Sequence, residues 1–407
     1  MFALVAGGGI AGTVTAIALR RIGVDVAVYE AADRASDGIG AFLTLGSNGL
    51  DALAALDLTD AVADLGFATP EMVLRDHQGR RLVAFPSGAP RPDGLQVRTL
   101  RRADLYLALR DEAEKAGAEI VYGRRVVDAG SRPDGVEVRC ATGETATGDL
   151  LVGADGLGSR VRAAIDPRAP RARYTGLLNT GGSARRPDPD LFDAPVGVAN
   201  FCFGRRCFLG WFLAPDGDVW WFANPPSRDE LGRAALQAIG EDGWRARLRE
   251  LFADDELPLD ALLSTTGEVF AGWNTYDFPR VPTWHRDRMV ILGDAAHAVS
   301  PSAGQGASMA IEDAVVLAQC VRDQPDVAAA FARYEQARRG RVEAIVARGK
   351  RTGDQKAPGP VGRLVRDHLV MPWLARSIAR GGSAAGAWIT DHHLDWETDM
   401  SDPPASA

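Results

Sequence analysis

Short apolar runs ending in glycine or acid-glycine turns recur at three well-separated places in this chain. Phe2 to Ala6 runs into Gly7-Gly8-Gly9, Leu150-Leu151-Val152 into Gly153-Ala154-Asp155-Gly156, and Met289-Val290-Ile291-Leu292 into Gly293-Asp294. Runs this short, bounded by turn residues, predict buried strands. After the first of them, Thr13 to Ile22 follows a helical pattern, and past Gly23 the stretch Val24 to Tyr29 alternates with period two and ends at Glu30. Strand, glycine turn, helix and strand in that order make a βαβ unit. The same reading predicts a helix from Gly49 to Leu56 and a hairpin over residues 71–85 that turns at Asp76 to Gly79. It predicts another helix from Arg102 to near Gly117, strands around 119–122, 125–129 and 136–140, and a helix starting near Met309.

The first glycine cluster has the G-x-G-x-x-G spacing at Gly7, Gly9 and Gly12. In such a turn Gly7 allows the sharp bend, Gly9 lets a pyrophosphate approach the backbone, and Gly12 lets the helix lie close to the strand. The N–H groups of Ala11 and Gly12, at the helix start, then face the phosphates. Glu30 stands at about the interval expected of the acid that binds ribose hydroxyls. The pattern predicts dinucleotide binding without separating FAD from NAD. The third cluster repeats the logic: a strand, the carboxylate of Asp294, a loop from Pro301 through Gly304 to Ser308, and a helix. Asp294 suits a polyol hydroxyl, and the N–H groups of Gly306, Ala307 and Ser308 suit developing negative charge. Asp155 and Asp294 also have a plainer reading as helix caps, and His297 as a buried, hydrogen-bonded residue.

Residues 171–274 are rich in aromatics in strand-like runs: Phe201, Phe203, Phe208, Trp211, Phe212, Trp220, Trp221 and Phe222. Alternation places 211 and 213 on one face and 212 on the other without saying which face lines a cavity. Phe203, Trp211, Trp221 and Pro301 are the candidate pocket residues, with Arg205 and Arg206 as candidate partners for a substrate carboxylate.

Composition narrows the field. The 407 residues are 46% hydrophobic and 25% charged, with a net charge of −8, so neither nucleic acid nor an anionic membrane is an expected partner. No apolar stretch approaches the length of a membrane span, and the start of the chain does not read as a signal peptide, which makes the cytoplasm the expected compartment. Four cysteines, with Cys202 and Cys207 five apart, fit neither a disulfide framework nor a dithiol motif. His392-His393 has no ligand-spaced partner, so no metal site is expected. Lysine is confined to Lys115, Lys350 and Lys356.

Taken together, the glycine fingerprint with Glu30, the Asp155-Gly156 turn, and Gly293-Asp294 with its Gly304-Gln305-Gly306 loop resemble the group A FAD-dependent monooxygenases, the para-hydroxybenzoate hydroxylase-like family, over about residues 1–350. The resemblance implies an α/β fold: a Rossmann-like FAD-binding domain with an inserted, mostly antiparallel β-sheet substrate domain and C-terminal helices. It implies a discontinuous FAD-binding domain at 1–70, 99–170 and 275–350, a substrate sheet at 71–98 and 171–274, a helical segment at 351–400 and a disordered tail at 401–407. Arg102 matches the arginine that reaches the cofactor's phosphate region, Asp155 the acid shared between FAD and nicotinamide binding, and Asp294 the ribitol ligand. Pro301 matches the proline beside the flavin, and Gly306, Ala307 and Ser308 match the loop that touches it. Phe42 and Ser47 depart from the family pattern, which often has glycine and proline there.

The implied reaction is NADH or NADPH reduction of FAD, addition of O2 at flavin C4a, and transfer of one oxygen from the hydroperoxide to a small aromatic or apolar substrate. That transfer is a hydroxylation or an epoxidation, in a monomer or homodimer. The catalytic work then lies on the flavin, and no protein acid or base is named. Two other readings remain: an FAD-dependent dehydrogenase or reductase without oxygen insertion, and a non-catalytic flavin-binding protein.

Overall fold

The computed structural model describes residues 1–33, 41–89, 91–192, 194–354, 356, 362, 365–379 and 386–401. The loop residue Gly40 and the tail 402–407 lie outside them.

Six strands form the sheet that carries the glycine turns. Its order is β18 (His285–Arg286), β19 (Met289–Ile291), β12 (Leu150–Gly153), β1 (Phe2–Ala6), β2 (Asp25–Tyr29) and β8 (Glu119–Val121). All neighbours are parallel except the β18–β19 pair. The three apolar runs of the sequence therefore become adjacent central strands, and their turns open at the same sheet edge. Such strands are apolar throughout because both faces are covered: Leu4, Val5, Leu151 and Val152 are wholly buried, each contributing roughly 1.5–3 kcal/mol.

One face is covered by α1 (Ile10–Arg21), with α4 (Arg102–Lys115) and α10 (Gly306–Asp323) packed against it. A three-stranded antiparallel sheet of β9 (Val126–Arg132), β10 (Gly135–Cys140) and β11 (Thr145–Gly148) lies on the other, where α5 (Arg160–Ile165) also packs. Gly148 makes that approach possible, since a Cβ there would sit 2.9 Å from the Leu4 side chain. The helices α2 (Ser47–Ala54) and α11 (Val327–Asp354) flank α10, and α3 (Thr59–Ala63) packs on α4.

A second sheet has seven strands in the order β17 (Trp273–Asp277), β13 (Arg173–Ala184), β16 (Val219–Asn224), β15 (Phe208–Leu213), β14 (Val198–Phe203), β5 (Glu71–Arg75) and β6 (Arg81–Pro86). Only β14 and β5 pair parallel, which joins the 71–86 hairpin to strands more than a hundred residues later. A small sheet of β3 (Phe42–Leu45), β7 (Arg98–Arg101) and β4 (Phe67–Ala68) contributes Phe42 and Phe67 to the aromatic face of the seven-stranded sheet.

The outer face of that sheet is covered by α6 (Arg233–Ala238), α7 (Gly240–Leu251) and α8 (Leu259–Thr265). Here the structure corrects two candidate pocket residues. Trp211 and Trp221 point outward into the helices: Trp211 packs on Phe192 at 5.2 Å, and Trp221 donates from Nε1 to Thr266 Oγ1 at 2.9 Å among Trp244, Leu248 and Leu262. The even partners, Phe208, Phe212, Trp220 and Phe222, take the inner face with Phe201 and Phe203. After α11 come a π-helical turn at Arg366–Val370, α12 (Met371–Ala379) and α13 (Ala387–Thr390). Among the described residues no helix is long and apolar enough to cross a membrane.

Candidate functional site

Gly7 has φ +102°, open to glycine at little cost, and a Cβ there would lie 2.4 Å from the Ala154 carbonyl oxygen. A Cβ on Gly12 would lie 1.8 Å from the Gly7 carbonyl oxygen, so the start of α1 sits directly on the turn. Gly9 differs: a Cβ there would find only the Tyr106 hydroxyl, at 3.8 Å, so this glycine faces open space. The first N–H groups of α1 point into that space without intrahelical acceptors. Glu30 closes the turn from the side, accepting Gly8 N–H at Oε2 and Ala32 N–H at Oε1, both at 2.7 Å. A carboxylate has about four acceptor positions, so capacity for ribose hydroxyls remains. Arg102 reaches the same space through Tyr106: its Nε donates to the Tyr106 hydroxyl at 2.7 Å, and its guanidinium lies 5.1 Å from the ring centroid.

The other two strand ends converge here. Gly293, φ +56°, would bring a Cβ within 3.1 Å of Ala11 Cβ and 3.4 Å of Ala310 Cβ, so it is wedged between the first turn of α1 and the second turn of α10. The exposed Asp294 follows it directly as first residue of the short α9 (Asp294–His297). No hydrogen bond holds the Asp294 carboxylate among the described residues. Asp155 is placed otherwise. It accepts the Ser159 hydroxyl at 2.5 Å and the Arg160 N–H at 2.6 Å, which caps α5; burial pushes its pKa up, against the pull of those hydrogen bonds. Arg162 ties this turn to the third one by donating to the carbonyls of Leu157 and Ala295, at 2.7 and 2.9 Å.

Between α9 and α10, Ser300 accepts the Ser302 N–H, Pro301 opens a 3-10 turn, and Gly304 (φ +62°) reverses the chain into α10. Pro301 and Gly304 are exposed, and Gly306 and Ala307 half-buried. Ser308 is buried, its hydroxyl accepting Gly46 N–H at 3.2 Å and seated where a Cβ on Gly49 would lie 2.6 Å away. The Ser308 side chain thus binds α2 to α10, leaving its N–H for the loop.

Sequence reasoning missed the network beneath. Asp313 accepts Gly293 N–H at 3.0 Å and His297 Nε2 at 2.5 Å on one oxygen, and Arg338 Nε at 2.8 Å on the other. Glu312 pairs with Arg338 at 2.7 Å and Arg341 at 2.8 Å, and accepts Asn48 Nδ2 at 2.6 Å; Asn48 also donates to Gln305 at 3.0 Å. Burial raises the pKa of both acids, but the adjacent cations win, holding Glu312 down to about 2 and Asp313 well below the usual carboxylate range. Two acids in the middle of a helix that is apolar on every side were the available signal. His297 is the buried, hydrogen-bonded residue of the plainer reading.

Against the inner face of the seven-stranded sheet, Phe42 packs at 5.5 Å from Phe212, 5.6 Å from Trp220 and 6.1 Å from Phe222. Trp220 Nε1 is buried and has no acceptor among the described residues. Phe203 stands at the far end, against Phe208, Leu74, Val83 and Met371. Arg205 and Arg206 do not reach this face. They sit on the β14–β15 turn, where Arg205 N–H donates to Asp255 and its guanidinium contacts His77, while Arg206 pairs with Asp254 and the Glu250 carbonyl.

An open cradle at Gly9, helix-start N–H groups at α1 and α10 and a carboxylate at Asp294 that has no hydrogen bond among the described residues fit a flavin dinucleotide. Residues 2–349 match the FAD binding domain family, and the chain belongs to it. The class is that of the FAD-dependent monooxygenases. The chain is 33% identical over 86% of its length to the aurachin C monooxygenase/isomerase of Stigmatella aurantiaca, covering 88% of that protein. It is 31% identical over 87% of its length to the FAD-dependent urate hydroxylase of Klebsiella pneumoniae, covering 90% of it. The structure of Klebsiella pneumoniae HpxO complexed with FAD and uric acid superposes with a TM-score of 0.79 at 28% identity, covering 94% of this chain and 95% of that one.

Proposed function

We propose that this protein is a single-component flavin monooxygenase that uses NADH or NADPH and O2 to hydroxylate or epoxidise a flat aromatic or similarly apolar small molecule. Bound FAD supplies the redox chemistry, accepting electrons from the nicotinamide and activating oxygen. The chain supplies position and surroundings. The Gly7 to Gly12 turn and the start of α1 hold the pyrophosphate, Glu30 the ribose, Arg102 the phosphate region and Asp294 the ribitol. Asp155 shapes the turn beside Gly7. The N–H groups of Gly306, Ala307 and Ser308 meet negative charge on the reduced ring, in a site that needs no reorganisation to do so.

The observation that carries this reading is the wedge of Gly293 between Ala11 of α1 and Ala310 of α10, with the exposed Asp294 next in the chain. Phe42 links this cleft to the aromatic face, because β3 leads from Phe42 into Gly46, whose N–H donates to Ser308. Those rings exclude water around the oxygen-transfer step. Uric acid, named in the HpxO structure, is a flat heterocycle, and a flat ring is what a wall of edge-on and tilted phenyl rings accommodates.

We further propose the division into an FAD-binding domain (1–70, 99–170, 275–350), a substrate sheet (71–98, 171–274) and a helical C-terminal segment, in a cytoplasmic monomer or homodimer with no nucleic-acid or membrane partner. A screen of planar phenolic and heteroaromatic compounds for accelerated NAD(P)H consumption by the FAD-loaded protein tests the reaction. At least one class should raise the rate well above the ligand-free value; a rate indifferent to every aromatic compound counts against it.

A further inference from the structure

Lys356 is one of three lysines in the chain, and it is buried against the inner face of the seven-stranded sheet. Its Nζ donates to Asn224 Oδ1 at 2.6 Å and stands 4.1 Å from the Phe208 ring centroid and 5.5 Å from that of Phe222. Asn224 is turned to present its oxygen, because its Nδ2 donates to Asn179 Oδ1 at 2.9 Å. An ammonium carries three N–H donors, and only one finds a hydrogen-bond acceptor among the described residues. No carboxylate pairs with it there. Ring faces compensate a desolvated cation in part, but burial still pushes the Lys356 pKa down to about 7.

The fold gains little from such a group. A methionine of the same length would fill the space against Phe208 and Phe222 without placing a charge among them. A buried amine of this kind beside an aromatic wall is a candidate for binding an anionic ligand. The position fits a ligand laid along the sheet. Phe222 is shared: Phe42 lies 6.1 Å from it on the side leading to the Gly46–Ser308 contact, and Lys356 lies 5.5 Å from it. Phe222 therefore joins the ammonium to Phe42, and through β3 to the turn at Gly46 that Ser308 holds. Arginine would be charged whether or not ligand is present, whereas a lysine tolerates the empty site and gains its full charge when an anion arrives.

We propose that Lys356 is the substrate-recognising cation of this protein, taking the carboxylate or phenolate oxygen of a planar aromatic anion, with Asn224 and Asn179 holding it in place. The proposal rests on reading this sheet face as the substrate wall, and its test measures binding, so that it stands or falls apart from the oxygen chemistry. Equilibrium dialysis of the FAD-loaded full chain is run with 2-naphthoate and with its neutral isostere naphthalene-2-carboxamide, on the parent, Lys356→Met and Lys356→Arg.

The parent should bind the anion at least ten-fold more tightly than the amide. K356M should lose that preference while still binding the amide, and K356R should retain part of it. Thermal melting separates recognition from structure: K356M should melt at or above the parent temperature, since it removes the desolvation cost of a buried ammonium. A parent that binds neither probe, or binds both equally, overturns the proposal. So does a K356M protein that keeps the parent's preference, or one that melts well below it. A protein that binds the anion through Lys356 yet inserts no oxygen would overturn the proposed reaction alone.

Discussion

The Gly293 backbone N–H donates to the Asp313 carboxylate at 3.0 Å, so the turn that presents Asp294 is fastened to the middle of α10. The same oxygen takes His297 Nε2, and Arg338 neutralises the other. Removing one partner of a buried ion pair leaves an uncompensated charge and costs about 3–5 kcal/mol. Asp313→Ala should therefore lower the unfolding free energy by about that amount and weaken FAD retention by loosening the Gly293 turn, from a wholly buried position. Denaturant titration and flavin content after gel filtration check both.

The network also sets the acid side of stability. Folded-state pKa values of Glu312 and Asp313 are depressed, so their contribution is present above the unfolded values and is lost as pH falls toward the folded ones. For Glu312 that window runs from 4.5 down to about 2. Unfolding free energy measured across it should fall steeply in the parent, and the slope should be shallower in Glu312→Gln. Equal slopes would show that Glu312 is not the group being protonated.

The glycines of the first turn should separate folding from binding. Gly12→Ala places a methyl on the Gly7 carbonyl and should destabilise the protein even without cofactor. Gly9→Val points into open space and should leave apoprotein stability within about 1 kcal/mol while weakening FAD affinity on the order of 100-fold, equivalent to about 2.7 kcal/mol. Isothermal titration of apoprotein with FAD measures the second effect and calorimetric melting the first.

Cys202 and Cys207 lie wholly buried on the outer side of the seven-stranded sheet, and burial pushes the Cys202 thiol up to about 12 and Cys207 higher still. Neither is a thiolate at neutral pH, so a thiol reagent should label them only on unfolding. Replacing both with alanine should leave substrate-stimulated turnover within a few-fold. Rapid labelling of the native protein at either cysteine would contradict this placement.

How much of this the sequence carried depends on how local each feature is. The βαβ turn at Gly7, Gly9 and Gly12 was legible because strand, turn and helix are contiguous, and Gly293-Asp294 was legible for the same reason. The sheet strands over 198–224 were legible too, but alternation gives two sets of side chains and no means of choosing between them. Trp211 and Trp221 look as fit for a cavity as Phe212 and Phe222 until α7 and α8 are seen to cover them. Asp155 had both readings open, and the Ser159 and Arg160 contacts favour the cap. Lys356 escaped notice because its partners Asn224, Phe208 and Phe222 lie more than a hundred residues earlier. Its one signal was chemical: a lysine kept in a chain that uses arginine nearly everywhere else.

Oxygen insertion is the claim on which the rest depends, and turnover under isotopically labelled O2 tests it most directly. The FAD-loaded protein is supplied with NAD(P)H and a compound that accelerates its oxidation, and the product is weighed by mass spectrometry. One labelled oxygen atom per product molecule is expected, with little hydrogen peroxide released while that compound is present. A product without label, or one that gains label only from water, would contradict monooxygenation and leave a flavin dehydrogenase in its place.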